Sequence, residues 1–211
     1  NVIAGRARML AGVNDAAQAR EFAGIIDRNS ASLSALVDDL LDVSRMTIGH
    51  IRLERQVVDM ASVVNGALQS VQSAAEAKGI VLEAAVDPDA RVVGDPMRLQ
   101  QIAWNLLTNA VKFTPGAGRV TISARLADDR VILSVRDTGK GVSADALPHL
   151  FDMFWQAEPL SARRQGGLGL GLSIVKKLAE LHGGSVTAES DGPDTGATFV
   201  VTLPRARGQQ P

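Results

Sequence analysis

The chain has 211 residues and a formal net charge of −1, so no global charge draws it to nucleic acid or to an anionic membrane. Cysteine is absent, which excludes disulfides, thiolate metal sites and cysteine nucleophiles, and an aromatic content of 3% argues against a base-stacking surface. The sequence contains no apolar run of membrane-span length and no signal-peptide pattern. We therefore expect a cytoplasmic chain that contacts neither membrane nor nucleic acid; a membrane anchor elsewhere in a full-length protein is compatible with this expectation.

The first 48 residues have the pattern of a helical hairpin with a turn near residues 12–15. Apolar spacing starts at once after Asn1 without a capping signal, so we expect the chain to begin inside a helix. Between about 15 and 45, apolar positions alternate spacings of four and three around one polar position, in the order Phe22, Ile26, Asn29, Leu33, Leu36, Leu40 and Val43. Two such hairpins would form a dimeric four-helix bundle. Alternatively, the hairpin packs only on the C-terminal domain of its own chain.

The sequence MTIGH, residues 46–50, interrupts this pattern and predicts a linker. We expect a second domain over residues 51–205 and a frayed tail over 206–211. The sequence of the second domain predicts an α+β fold, in which helices cover one face of one mixed sheet to form an α/β sandwich. Its predicted strands are 51–58, 80–86, 90–94, 119–127, 130–137, 184–190 and 197–204, and its predicted helices are 59–78, 96–113, 143–151 and 170–182.

The helix over residues 96–113 is predicted most sharply, because Asp95 is a natural N-cap and Thr-Pro-Gly follows Phe113. Its apolar surface is wide and leaves a narrow polar stripe of Asn105, Asn109 and Lys112, at spacings of four and three. Two carboxamides and an ammonium group between apolar walls suggest a site for a metal ion and an anion. A solvated face with ordinary polar residues would give the same pattern.

Two glycine-rich segments could approach a ligand closely. Asp137 ends a predicted strand and precedes Gly139 and Gly141, so its carboxylate could accept hydrogen bonds from an exocyclic amine, or the segment could be a simple turn. The second segment, GGLGLGL at residues 166–172, begins a predicted helix, where free N–H groups favour an anion. The irregular stretch before it contains Arg163 and Arg164, which could close over phosphates.

Together these segments resemble a known family. NLLTNAVKFTP, DTGKGV, LFDMFWQ, GGLGLGL and GATF occur in the order and spacing of the N, G1, F, G2 and G3 boxes of bacterial sensor histidine kinases, within the ATPase superfamily of gyrase, Hsp90 and MutL. The hairpin ending in LVDDLLDVSRM resembles the dimerisation and histidine-phosphotransfer domain. Residues 51–205 resemble the catalytic ATP-binding domain, in which ATP lies between the central helix and a mobile lid.

The resemblance implies roles for the polar stripe. Asn109 would coordinate Mg²⁺ through its side-chain oxygen, which suits a hard cation. Asn105 would order the waters of the metal and the phosphates, and Lys112 would face the phosphates. Arg164 would approach the terminal phosphates.

The resemblance also implies an adenine pocket. Asp137 would accept the adenine amine, Gly139 and Gly141 would make room for the base, and Thr198 would support adenine recognition from behind Asp137. The lid hinge and the phosphate contact would come from Gly167, Leu168, Gly169, Leu170 and Gly171.

The implied activity is that of the kinase core of a two-component sensor. It would use Mg-ATP to phosphorylate a histidine, work as a homodimer, and relay the phosphoryl group to an aspartate on a response-regulator receiver domain. The acceptor histidine, which the family places just before a stretch like NVIAGRARML, is not found, and His50, His149 and His182 do not fit its position. We therefore expect this piece to be unable to autophosphorylate. The alternatives are a degenerate kinase acting as a nucleotide-binding scaffold and an anti-sigma-factor type of serine kinase.

Overall fold

The computed structural model describes residues 2–10, 18–20, 22–26, 30, 33, 40–41, 52–156 and 168–206. The chain divides into two compact units, Asn1–Gly49 and His50–Pro211. In the first unit, helix α1 spans Val2–Leu10, and the other described residues of that unit are also helical. Three of the seven seam positions (Asn29, Leu36 and Val43), the linker at 46–50 and residues 207–211 of the tail lie outside the described residues.

The second unit alternates helices and strands much as the sequence predicts. In chain order its elements are β1 (Gln56–Asp59), α2 (Met60–Ala77), β2 (Val81–Val86), β3 (Arg91–Gly94), α3 (Pro96–Phe113), β4 (Arg119–Ala127), β5 (Arg130–Asp137), α4 (Gly171–Leu181), β6 (Ser185–Glu189) and β7 (Ala197–Pro204). In the part of the chain that is described, no helix is both long and apolar enough to cross a membrane.

The main sheet has five strands in the order β2-β4-β5-β7-β6. Strand β2 runs parallel to β4 and the other pairs are antiparallel, which confirms an α+β fold with a mixed sheet. Strands β1 and β3 form a second, two-stranded antiparallel ribbon, which an isolated bridge between Val92 and Arg205 links to the end of β7. The expectation of a single sheet was therefore wrong on this point.

Alternation along the strands places the core on one face of the main sheet. In β5, for example, Val131, Leu133 and Val135 are buried, whereas the residues between them are not. Helices α2, α3 and α4 supply the other half of the core with residues such as Ile102 and Ile174. Strand β5 ends with its last residue on this same helix-covered face.

Helix α3 has the predicted bounds, and its ends show why. The Asp95 carboxylate accepts hydrogen bonds from the backbone N–H groups of Met97 and Arg98, at 3.0 and 3.2 Å. At the other end, the buried Thr114 hydroxyl donates to the Ala110 carbonyl at 2.6 Å, and the backbone turns extended before Pro115. The helix is therefore fixed at both ends by local sequence.

Two predicted elements are shorter than expected. The strand predicted over 51–58 is reduced to β1 because its partner β3 offers only four residues, and upstream the Arg55 guanidinium donates to the Leu181 carbonyl at 2.8 Å. The helix predicted over 143–151 is only a 3₁₀ turn, Leu147–His149. Pro148 has no N–H with which to extend an α-helical ladder.

Candidate functional site

The polar stripe of α3 lies against the first turn of α4. Asn105 is only 6% exposed, and its side-chain Nδ2 is buried without a hydrogen-bond partner among the described residues. A Cβ on Gly171 would lie 3.2 Å from Asn105 Oδ1 and 4.0 Å from Asn109 Nδ2. The structure therefore brings Asn105, Asn109 and Gly171 together, and a side chain at residue 171 would crowd the stripe.

The N-terminus of helix α4 lacks a side chain that caps its backbone N–H groups. Its N-cap, Leu170, makes no side-chain capping hydrogen bond, and glycine occupies the first helical position. The first N–H groups of a helix have no partner within the helix and carry the positive end of its dipole. The Leu170 side chain itself is fully buried, so only backbone at this residue could contact a ligand.

Asp137 is the buried acid of the site. It is 5% exposed at the end of β5, and its Oδ1 accepts a hydrogen bond from the Gly139 N–H at 2.8 Å. Burial raises the pKa of this carboxyl, and hydrogen bonds from the backbone of Gly139 and Ala197 oppose part of that rise. A carboxylate can accept about four hydrogen bonds, so Asp137 keeps capacity for an external donor.

At two positions, Gly139 and Gly141, the loop after Asp137 passes too close to its neighbours for a side chain. A Cβ on Gly139 would lie 2.6 Å from the Phe113 carbonyl oxygen and 2.7 Å from Asp137 Oδ1. Gly141 has φ +62°, and a Cβ there would collide with the carbonyl of Gly192. The Lys140 N–H donates to the Phe113 carbonyl at 3.2 Å, which ties this loop to the C-terminal end of α3.

Positive charge gathers at that same end of α3. The ammonium groups of Lys112 and Lys140 lie 4.9 and 4.5 Å from the centre of the Phe113 ring. Both distances are within the range of cation–π attraction. Lys112 is half-buried, at the end of the stripe that begins with Asn105.

Residues on the two sides of segment 157–167 are joined by hydrogen bonding. The Phe154 N–H donates to the Gly169 carbonyl at 3.1 Å, and Phe154 has φ +64° while its side chain is 58% exposed. Gly169 has φ +73°, and a Cβ there would lie 2.7 Å from the Trp155 carbonyl oxygen. Leu168 is exposed. Gly167 and Arg164 lie outside the described residues.

Thr198 does not lie behind Asp137, contrary to the expectation from the sequence. Ala197 is the residue directly opposite Asp137, while Thr198 lies opposite Arg136 on one side and Glu189 on the other. Neighbouring residues of a strand point to opposite faces, so Thr198 belongs to the face away from Asp137. The expectation that Thr198 lies behind Asp137 and assists it was therefore wrong by one residue.

One structural residue of the site was missed. The half-buried Lys78 ammonium donates to three carbonyls at the C-terminal end of α3, those of Val111 at 2.7 Å, Lys112 at 2.9 Å and Thr114 at 3.3 Å. Only a contact between residues more than thirty positions apart reveals this role. The sequence signal was a lysine before Gly79, which also fits an ordinary helix end.

Other candidate sites among the described residues are weak. No group of three or more His, Cys, Asp or Glu side chains in the described ranges could hold a metal ion. A cleft of about 310 Å³ between α2 and α3, lined by Ser70, Met97, Gln100, Gln101 and Trp104, shares no residue with the site. The polar stripe with Asp137 and its glycine loops is thus the better candidate.

Comparison with known proteins gives one consistent family. The profile of the histidine kinase-, DNA gyrase B- and HSP90-like ATPases matches residues 94–207. The chain is 34% identical over 215 residues to hybrid signal transduction histidine kinase D of Dictyostelium discoideum, covering 87% of this chain and 14% of that protein. It is 36% identical over 200 residues to the histidine protein kinase DivJ of Caulobacter vibrioides, covering 94% of this chain and 33% of that protein.

Solved structures agree with the sequence comparison. Full-length ShkA in complex with AMPPNP superposes with a TM-score of 0.78 at 33% identity, over 98% of this chain and 43% of that one. The chain therefore belongs to the family of histidine kinase-, DNA gyrase B- and HSP90-like ATPases. Within that family it is similar to histidine kinases of signal transduction. It spans 14% of the length of the Dictyostelium relative and 33% of the length of DivJ.

Proposed function

We propose that the chain is the kinase core of a two-component sensor histidine kinase, which binds Mg-ATP and phosphorylates a histidine. The observation that carries the proposal is the buried stripe of α3. It places the unpartnered Asn105 Nδ2 and the Asn109 side-chain amide next to Gly171, the first residue of α4. An asparagine amide left without a partner costs free energy, about 1–3 kcal/mol, which a bound polar ligand would recover.

The adenine end of the proposed site is formed by Asp137. Its carboxylate would accept a hydrogen bond from the exocyclic amine of adenine, while Gly139 and Gly141 leave space for the flat ring. Gly196, with φ +76°, packs against the Asp137 backbone from the neighbouring strand connection. These positions are intolerant of side chains, as expected where backbone approaches a base.

The phosphate end is formed by α3 and α4 together. Asn109 would provide a side-chain oxygen to Mg²⁺, and Asn105 would hold the waters of the metal. Lys112 and the backbone N–H groups of the first turn of α4, which starts at Gly171, would neutralise the negative charge of the phosphates. Gly167 and Arg164 would contact the phosphates as well. Bound Mg²⁺ would neutralise charge on the phosphates. Phosphoryl transfer depends mainly on positioning of the reacting groups and on electrostatic stabilisation of the transferred phosphoryl group.

Neither histidine in the described residues suits the role of acceptor. His182 is 3% exposed, its Nδ1 donates to the Leu178 carbonyl at 2.7 Å, and its Nε2 accepts from the Asp95 N–H at 3.1 Å. His149 pairs with Asp152 at 2.9 Å and stacks on Trp155. His50 lies outside the described residues. We propose that none of the three histidines is the acceptor, and that the phosphoryl group passes onward to a response-regulator aspartate.

The helical unit fits a dimer. The side chains of Leu33, Leu40 and Leu41 are 55%, 54% and 48% exposed in the single chain. Burying a leucine contributes about 1.5–3 kcal/mol, so a second copy of the hairpin would gain by covering them. We propose a homodimer through residues 15–45 that works in the cytoplasm.

A calorimetric titration with Mg-ATP and with adenosine tests the nucleotide site. Asn109→Ala should weaken Mg-ATP binding about tenfold or more, because it removes a metal ligand, and should change adenosine binding little. Asn65→Ala is the matched control, because Asn65 is an exposed asparagine of α2. Equal losses for both ligands would contradict the role given to Asn109, and a wild-type chain that does not bind Mg-ATP would contradict the proposed function.

A further inference from the structure

The Ser190 hydroxyl is the side-chain link between two segments beside Asp137 that backbone hydrogen bonds, Gly196 N–H to the Gly139 carbonyl and Asp194 N–H to the Lys140 carbonyl, also join. Ser190 follows β6, and its Oγ accepts a hydrogen bond from the Val142 N–H at 3.0 Å and donates to the Gly196 carbonyl at 2.7 Å. Val142 belongs to the loop that contains Gly139, whereas Gly196 precedes β7. The Ser190 hydroxyl therefore bridges the loop after Asp137 and the turn before its strand partner.

The hydroxyl uses its full hydrogen-bonding capacity. A serine hydroxyl has one donor and two acceptor sites. The short contact to the Gly196 carbonyl takes the donor, and the N–H groups of Val142 and, at 3.4 Å, Gly192 approach the acceptor side. An alanine here would leave the Val142 N–H and the Gly196 carbonyl without this partner.

The bridged segments are in direct contact with Asp137. The Gly196 N–H donates to the Gly139 carbonyl at 3.0 Å, and Gly139 in turn donates to Asp137 Oδ1 at 2.8 Å. A Cβ on Gly196 would collide with the Asp137 carbonyl. With no free space between these residues, a shift of the loop would turn or move the Asp137 carboxyl.

We infer that Ser190 is a positioning residue for adenine selectivity, a conclusion that rests on the proposed nucleotide site. Its hydroxyl fixes the loop from Gly139 to Val142 against Gly196, and this sets where the Asp137 carboxylate can accept a hydrogen bond. Adenine presents an amine donor at its six-position and guanine presents a carbonyl acceptor there. A carboxylate held in one place therefore favours adenine, and that preference depends on Ser190.

The test compares Mg-ADP and Mg-GDP binding by calorimetry in the whole chain. Ser190→Ala should weaken ADP binding about three- to tenfold, since about one well-placed hydrogen bond is lost, and should change GDP binding less than about twofold. Ser190→Thr keeps the hydroxyl and should retain the wild-type preference for ADP. Ser185→Ala, an exposed serine of the same β6 strand, is the matched control. Hydrogen exchange should show faster exchange of the Val142 amide in Ser190→Ala alone.

The outcomes separate the two proposals. Partial unfolding would lower ADP and GDP binding by the same factor, so an unchanged ratio in Ser190→Ala would overturn the positioning role. An ADP affinity equal to that of the Ser185→Ala control would overturn it as well, and so would Ser190→Thr losing selectivity as Ser190→Ala does. A wild-type chain that binds neither nucleotide would instead contradict the proposed function.

Discussion

Replacing Lys78 with methionine tests how the nucleotide end of α3 is held. The Lys78 ammonium donates to the carbonyls of Val111, Lys112 and Thr114. In a continuing helix the Val111 carbonyl would accept from the residue four positions later, but that residue is Pro115, which has no N–H. Lys78 supplies the missing donor, and methionine would keep the aliphatic stem without it.

The expected loss follows from these contacts. A hydrogen bond to a charged group contributes about 1.5–3 kcal/mol, and a cation at a helix C-terminus adds about 0.3–1 kcal/mol. Because one half-buried ammonium shares three acceptors, we count one strong bond plus the dipole, which gives about 2–4 kcal/mol. For a chain of this size that lowers the melting temperature by about 4–16 °C.

Thermal and urea unfolding followed by tryptophan fluorescence measures this loss. Both tryptophans, Trp104 and Trp155, lie in the unit His50–Pro211, so the signal reports on that unit alone. Lys176→Met, at an exposed lysine of α4, is the control. A Lys78→Met variant no less stable than Lys176→Met would refute the assignment of Lys78 as the cap of α3.

Four further results are expected. Burial lowers the pKa of His182, so the unfolded chain takes up a proton before the folded chain as the pH falls below about 6.5. The free energy of unfolding, measured in urea titrations, should therefore drop below this pH, and His182→Gln should reduce the drop. Burial raises the pKa of Asp137, so the ionised carboxyl destabilises the folded chain at pH 7. Asp137→Asn should therefore unfold at a higher urea concentration than wild type at pH 7, and this gain should vanish as the pH falls to about 3.8. The same variant should bind ATP more weakly. Leu33→Glu with Leu40→Glu should give monomers in sedimentation, whereas a wild-type chain that is monomeric at high micromolar concentration would contradict the dimer. Incubation with radiolabelled Mg-ATP should leave no acid-labile label on this chain, and label mapped to His50, His149 or His182 would show that the acceptor is misplaced.

Much of the fold could be predicted where local signals agree. Asp95 with Pro96 starts α3, and the Thr-Pro-Gly stop ends it, so both bounds follow from adjacent residues. The hairpin of β4 and β5 is equally clear, because the alternation of both strands breaks at Asp128, which has φ +53°. Such signals are local and do not depend on the rest of the chain.

What depends on pairing between distant segments could not be predicted. The length of β1 is set by β3, and the residue of β7 that lies opposite Asp137 is set by the register between β5 and β7. A register difference of one residue changes every cross-strand partner, and the alternation within one strand does not show which register forms. The bonds from Lys78 to the end of α3 and from Val142 to Ser190 span more than thirty residues, so composition and periodicity carry no sign of them.

An NMR titration of the labelled chain with Mg-AMPPNP tests the nucleotide site most directly. We expect shifts of the backbone amides of Gly139, Gly169 and Gly171 and of the Asn109 side-chain amide. No comparable shift is expected at Ser134, which lies mid-strand in β5 on the face away from the helices. Saturable shifts confined to the first group would support a nucleotide between α3, α4 and Asp137. No shifts at millimolar ligand, or shifts centred on Ser70 and Trp104 instead, would contradict it.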